Sequence, residues 1–297
     1  MKSKCPSSVS QKSSSKSLQG PTKFQLSKYA YSNLSLLSKL SKGLSSSVYL
    51  AKTASGEKVA VKIFKSQADE DFNNELNFYS LKITSPNIIK YYSCGSIKNQ
   101  KDKHYGLNYI TMEYSRHGDL FTFLEKNGKI CETSVKKIIV GILDGLEVIH
   151  SNGLVHRDIK PENILIIDGE YKISDFGLCE EIDKFSCKRK GTHGYIPPEI
   201  LEKRKIIPEA IDSFGLGVLA FTLITREFPF NHPILTDPNY CYIIDDDWES
   251  YWTSVGGPNI VSSHFRDLFS NLVCYNPERR YTLQEIRKSD WLKNFKV

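Results

Sequence analysis

From Tyr31 onward, apolar and polar positions recur with periods that name their elements. Val48-Tyr49-Leu50-Ala51 and Val59-Ala60-Val61-Lys62-Ile63 are β-rich runs on either side of a Ser55-Gly56-Glu57 turn, the pattern of a hairpin. Phe72, Leu76, Tyr79 and Ile83 then recur at helical spacing, and Pro86-Asn87 closes that stretch. Short strand-like runs follow, among them Tyr109-Ile110-Thr111-Met112. From residue 133 the period is helical again through Val135, Ile138, Ile139, Ile142, Leu146 and Ile149. Thr133 or Ser134 is the start signal of that helix and Gly153 its stop. Further helices are predicted over 210–226 and 262–275. A first third of strands with one helix, followed by a mostly helical remainder, predicts a two-lobed α+β chain.

The chain has 297 residues, 40% of them hydrophobic and 25% charged, which excludes general disorder. Residues 1–20 differ: eight serines and four lysines with almost nothing apolar predict a disordered tail, extending to residue 30. The formal net charge of +6 belongs wholly to residues 1–30, whose six lysines leave 34 of the 40 bases to face all 34 acids. A neutral body argues against nucleic acid as a partner. Seven scattered cysteines with no C-x-x-C read as reduced thiols of an intracellular protein, cytoplasmic or nuclear. No apolar run is expected to reach the roughly 18 residues of a membrane helix.

The densest chemistry lies in His156-Arg157-Asp158-Ile159-Lys160-Pro161-Glu162-Asn163, followed at Asp175 by Asp175-Phe176-Gly177. Between them, Ile164-Leu165-Ile166 and Tyr171-Lys172-Ile173 read as a hairpin turning at Asp168-Gly169. Such a hairpin brings Asn163 beside Asp175, an amide oxygen and a carboxylate of the hard type that suits Mg²⁺. Asp158 is then placed to orient a hydroxyl and accept its proton.

These motifs resemble those of eukaryotic protein kinases, over about residues 34–295 and in the family's order. The resemblance implies a two-lobed kinase fold: a small antiparallel sheet lobe with one main helix (about 31–112), a hinge (113–115) and a larger, mostly helical lobe (about 116–295). It implies ATP and Mg²⁺ as cofactors. Asp158, Lys160 and Lys62 would be catalytic, Lys62 holding the α- and β-phosphates, with Asn163 and Asp175 on the metal. Glu75 would pair with Lys62; Glu70 is the rival, and Glu75 is preferred because Phe72, Leu76 and Tyr79 place it beside the core face. Leu40, Gly43, Val48, Ala60 and Leu165 would enclose the nucleotide. Met112 would be the gatekeeper, Glu113 and Ser115 the hinge, and Asp119 a ribose neighbour or, alternatively, a helix N-cap. Glu199 would be buried against Arg280, and Asp212 would support the catalytic-loop backbone. Lys160 and Thr192 place the chain in the serine/threonine class.

Three departures set further expectations. The family's G-x-G-x-x-G is reduced to Gly43 within Ser41-Lys42-Gly43-Leu44-Ser45-Ser46, so serine is expected to strain the loop at Ser41 and Ser46. Hence the alternative of a pseudokinase scaffold; RNA binding by the basic tail is a third reading. Lys188 stands where relatives carry a phosphorylated residue, so Arg157 should be neutralised by Glu180, Glu181 or Asp183, or by phosphate on Ser186, with Ser186 and Thr192 as candidate regulatory sites. Asp119 and Glu162, without an acid at Thr222, imply protein substrates loosely basic upstream of the acceptor. Residues 232–255 are a candidate docking surface. The short stretch after Trp291 is expected to hold no calmodulin-binding helix.

Overall fold

The computed structural model describes residues 30–66, 70–98, 100–186, 189–293 and 295. The Ser/Lys-rich tail up to residue 29 and Lys188 lie outside the described residues.

Five strands form one antiparallel sheet in the order β1-β2-β3-β5-β4. They are β1 (Leu34–Lys42), β2 (Ser46–Thr53), β3 (Lys58–Phe64), β4 (Tyr91–Ser96) and β5 (Asn108–Glu113). Gly56, at φ +84°, takes the left-handed turn between β2 and β3 that a side chain resists. The side-chain period of two divides β3 between two cores. Val59, Val61 and Ile63 join Ala51, Ile97 and Tyr109 on one face. Ala60 and Phe64 join Ile110 and Met112 on the other, in the main core. Lys62 therefore projects on the face that meets the rest of the molecule.

That face is covered by α1 (Glu70–Ser80). Its inward row is Phe72, Glu75 and Phe78, not the expected Phe72, Leu76, Tyr79 and Ile83. Leu76 and Tyr79 are half-buried, and Ile83 lies beyond the helix end. Each step of three falls about 60° short of a full turn, so Phe72, Glu75 and Phe78 span one broad face and the acid sits in the middle of the buried stripe.

The helical part comprises α2 (Leu120–Asn127), α3 (Glu132–Ser151), α4 (Pro198–Leu201), α5 (Pro208–Thr225), α6 (Pro238–Ile244), α7 (Trp248–Ser254), α8 (Ser263–Val273) and α9 (Leu283–Lys288). Cys131, not Thr133 or Ser134, is the N-cap of α3, and it makes no side-chain cap bond. Asn152 and Gly153 (φ +71°) end that helix. Pro208–Thr225 is long and apolar enough to cross a membrane, which corrects the expectation that no run is. It is the central helix here, with 89% of that window buried inside the fold. Two small antiparallel pairs lie among the helices: β6 (Leu154–Val155) with β9 (Glu180–Glu181), and β7 (Ile164–Ile167) with β8 (Glu170–Ile173).

The two parts are tied by backbone. Ile173 N donates to Asn87 O at 2.8 Å, Ile89 N donates to Ile173 O at 2.9 Å, and Asn87 Nδ2 donates to Tyr171 O at 3.1 Å. Gly145 of α3 allows this junction, since a Cβ there would lie 2.8 Å from Asn87 O. Lys172 of β8 holds both carboxylate oxygens of Glu113, at the end of β5, at 3.0 Å.

Candidate active site

The strand register builds the first half of the site. Val48 pairs with Lys62 across β2 and β3, and Ala60 pairs with Met112 across β3 and β5. Paired residues share a face, so Val48, Ala60, Lys62 and Met112 line one side of the sheet. Leu165 packs against the same core from β7. Lys62 Nζ lies 2.7 Å from Glu75 Oε2 and 2.9 Å from Asp175 Oδ1, joining β3, α1 and the Asp-Phe-Gly turn. Burial alone would strip the charge from Lys62; the carboxylates of Asp175 and Glu75 outweigh it and raise its pKa. Burial likewise opposes ionisation of Asp175, but the Lys62 ammonium holds its carboxyl down at about 2. Glu75 moves up because burial exceeds what Lys62 and Tyr91 return. Tyr91 OH donates to Glu75 Oε1 at 2.7 Å, a support the sequence did not signal.

The second half hangs on Asp212 of α5. Its Oδ1 accepts from Arg157 N at 2.8 Å and its Oδ2 from His156 N at 2.9 Å. His150 Nε2 lies 2.8 Å from Oδ2 and, against the effect of burial, lowers the Asp212 pKa. These bonds hold Arg157 at φ +72°, and Asp175 stands at φ +63°. Left-handed backbone at residues other than glycine costs about 1–3 kcal/mol each, so the surroundings must enforce both. Phe176 helps by stacking on Phe78 of α1 at 3.5 Å between ring centroids.

Asp158 is held from three sides. Lys160 Nζ donates to its Oδ2 at 2.6 Å, Asn163 Nδ2 to the same oxygen at 2.9 Å, and Thr192 N to its Oδ1 at 3.0 Å. Lys160 also contacts Thr192 Oγ1. The β7–β8 hairpin returns the chain as its residues predict, and Ser174 N donates to Asn163 O at 2.8 Å. Asn163 and Asp175 thus flank its open end. Asn163 spends its amide nitrogen on Asp158, and its Oδ1 has no hydrogen-bond partner among the described residues. Asp175 spends Oδ1 on Lys62 and Gly177 N, leaving Oδ2 on a side chain that is 49% exposed. Two unspent hard oxygens at adjoining positions fit Mg²⁺, which takes one or two protein ligands and otherwise water or phosphate.

Other candidates serve locally. Asp119 caps α2, accepting from Thr122 N at 2.7 Å. Ser115 Oγ lies 2.7 Å from both the Gly118 and Ile166 carbonyls, so its side chain anchors the hinge. Leu40 falls at a register shift in β1 and is half-exposed. The strain expected at Ser41 and Ser46 is absent: both lie in strands, and neither is among the positive-φ residues. Gly43 itself has an ordinary φ, and a Cβ on it would meet only Ser46 O, at 3.7 Å. The Ser41→Gly, Ser46→Gly double variant therefore has no strain to relieve. Its KM for ATP is expected to stay within about threefold of wild type, and a tenfold fall would restore the strain argument.

The segment from Glu180 to Glu199 closes the site. Glu180 Oε1 lies 2.6 Å from Arg157 Nη1, and the same carboxylate accepts from Ser186 N at 2.9 Å and Ser186 Oγ at 2.8 Å. Phe185 covers the Arg157 guanidinium at 4.6 Å. Glu70, the rival for Lys62, instead pairs with Lys190 at 2.8 Å. Glu199 and Arg280 form a bidentate pair at 2.7 and 3.1 Å with both side chains fully buried.

Residues 34–292 match the protein kinase domain. The chain is 31% identical over 268 residues to calcium/calmodulin-dependent protein kinase type 1 of Caenorhabditis briggsae, covering 85% of this chain and 70% of that protein. It is 31% identical to the Aurora kinase of Schizosaccharomyces pombe, covering 86% and 70%. With CBL-interacting serine/threonine-protein kinase 8 of Arabidopsis thaliana it shares 30% identity, covering 82% and 54%.

Proposed function

The chain belongs to the eukaryotic protein kinase family, serine/threonine type, and on that premise we propose that it moves the γ-phosphoryl group of ATP onto serine and threonine hydroxyls of proteins. Residues 31–295 are the catalytic unit and 113–115 its hinge. The observation that carries this reading is the pair of networks meeting at the β7–β8 hairpin: Lys62 with Glu75 and Asp175, and Asp158 with Lys160, Asn163 and Thr192. Asp158 orients the acceptor hydroxyl and takes its proton as the new oxygen–phosphorus bond forms and the β,γ-bridging bond breaks. Lys160 faces the transferring group, and Lys62 holds the α- and β-phosphates. Asn163 Oδ1 and Asp175 Oδ2 would hold Mg²⁺, which supplies charge neutralisation when bound. The scaffold alternative rests on the reduced glycine loop alone, against which stand Lys62, Glu75, Asp158, Lys160, Asn163 and Asp175.

Activity should not depend on a phosphate. Glu180 already neutralises the buried Arg157 guanidinium and orders Ser186. Phosphatase treatment and Ser186→Ala are expected to leave kcat within about twofold, while Glu180→Gln lowers it about tenfold, equivalent to about 1.4 kcal/mol. A tenfold loss on phosphatase treatment would make Ser186 the switch and sink the constitutive reading.

Substrate selection is loosely basic upstream. Glu162 is exposed and open to an arginine, whereas Thr222 bonds its own helix at Val218 O (2.9 Å) and offers no charge. A positional peptide array with labelled ATP should show a mild preference for upstream arginine. Selection for proline or acids around the acceptor would contradict it.

A further inference from the structure

The tip between β1 and β2 is Gly43-Leu44-Ser45, with Leu44 wholly exposed. It lacks the apolar contacts that order a loop, and it keeps one glycine. Yet every carbonyl from Gly43 to Ser46 accepts a hydrogen bond. Gly43 N donates to Ser46 O at 3.0 Å and Lys65 N to Ser45 O at 2.8 Å. Lys65 Nζ donates to Gly43 O and, at 2.8 Å, to Leu44 O. Three of the four carbonyls are thus satisfied by one residue, the first beyond β3 and three after Lys62. Among the described residues no carboxylate pairs with Lys65, and its ammonium donates to the Gly43 and Leu44 carbonyls. The amides of Leu44 and Ser45 donate to no acceptor among the described residues. A tip with its acceptors satisfied from within and two adjacent donors unspent is set to receive an anion.

We propose that Lys65 is a positioning residue that holds the glycine-poor loop in its closed shape over the phosphates of the nucleotide. The inference rests on the ATP reading above and deepens it. A glycine-rich tip adapts its backbone as the ligand arrives; this tip is fixed beforehand, which lowers the ordering entropy lost on binding. The lysine ammonium also stands beside the loop that meets the phosphates, where positive charge favours them.

The test is a competition titration of the full chain with a fluorescent ATP analogue, displaced by ATP and separately by adenosine. Lys65→Ala and Lys65→Met are expected to weaken ATP about tenfold and adenosine less than about twofold, because only ATP carries the phosphates. KM for ATP should rise by a similar factor, with a smaller change in kcat, and Lys65→Arg should restore most of the affinity. Equal ATP affinity in wild type and Lys65→Ala would overturn the proposal. So would parallel weakening of ATP and adenosine, which would make Lys65 a general support of the sheet. A wild type that binds neither ligand would sink the ATP reading itself, and this inference with it.

Discussion

Asp158→Asn is expected to lower kcat by about 10²–10⁴-fold, the range that general-base catalysis supplies, while ATP affinity stays within about threefold. The asymmetry follows from position. The Asp158 carboxylate bonds Lys160, Asn163 and Thr192, whereas Lys62 bonds Glu75 and Asp175; among the described residues no hydrogen bond or ion pair joins Asp158 to Lys62 or to Val48, Ala60 and Met112. The asparagine presents one oxygen where the carboxylate presents two, so it cannot accept from both sides without turning an NH₂ toward a donor. It also cannot take a proton from a hydroxyl. Binding by fluorescence titration and turnover at saturating ATP measure the two halves separately. A variant that loses both together would mean that Asp158 holds the site's shape more than it serves its chemistry.

Arg280→Met should destabilise the fold by about 3–5 kcal/mol, because it strands a fully buried carboxylate. For a chain of this size that is roughly 6–20 °C in Tm. Arg280 also donates to Ala210 O at 2.9 Å and Cys274 O at 3.0 Å, so its loss removes the donor to both carbonyls. Glu199→Met with Arg280→Met removes both charges and should recover part of the loss, since apolar groups can fill a dry site without a stranded ion. Differential scanning fluorimetry on the three proteins decides it. If the double variant is no more stable than Arg280→Met, the buried charge is not the dominant loss.

The sequence made legible what depends on neighbours in the chain. The β2–β3 hairpin, the β7–β8 hairpin and the long helices all follow from local period and turn residues. The candidate site was legible because its chemistry is packed into two short motifs. What the sequence leaves hidden depends on partners distant along the chain. Tyr91 reaches Glu75 only because β4 passes beside α1, and Glu180 meets Arg157 only because β9 pairs with β6. The inward row of α1 departs from the apolar pattern because a charged residue does not register as core, although Lys62 makes Glu75 a core residue. The left-handed backbone at Arg157 and Asp175 carries no composition signal, since neither residue is glycine. Nothing in the sequence singles out Lys65, and only the folded loop reveals its three carbonyl partners.

The central claim is that the two networks at the β7–β8 hairpin form a working phosphotransfer site. It is tested most directly by incubating the purified, phosphatase-treated chain with γ-labelled ATP, Mg²⁺ and a degenerate peptide library, then identifying the labelled amino acids. The account predicts label on phosphoserine and phosphothreonine from wild type, and none above background from Asp158→Asn. A folded wild type that binds ATP yet transfers no label would contradict it.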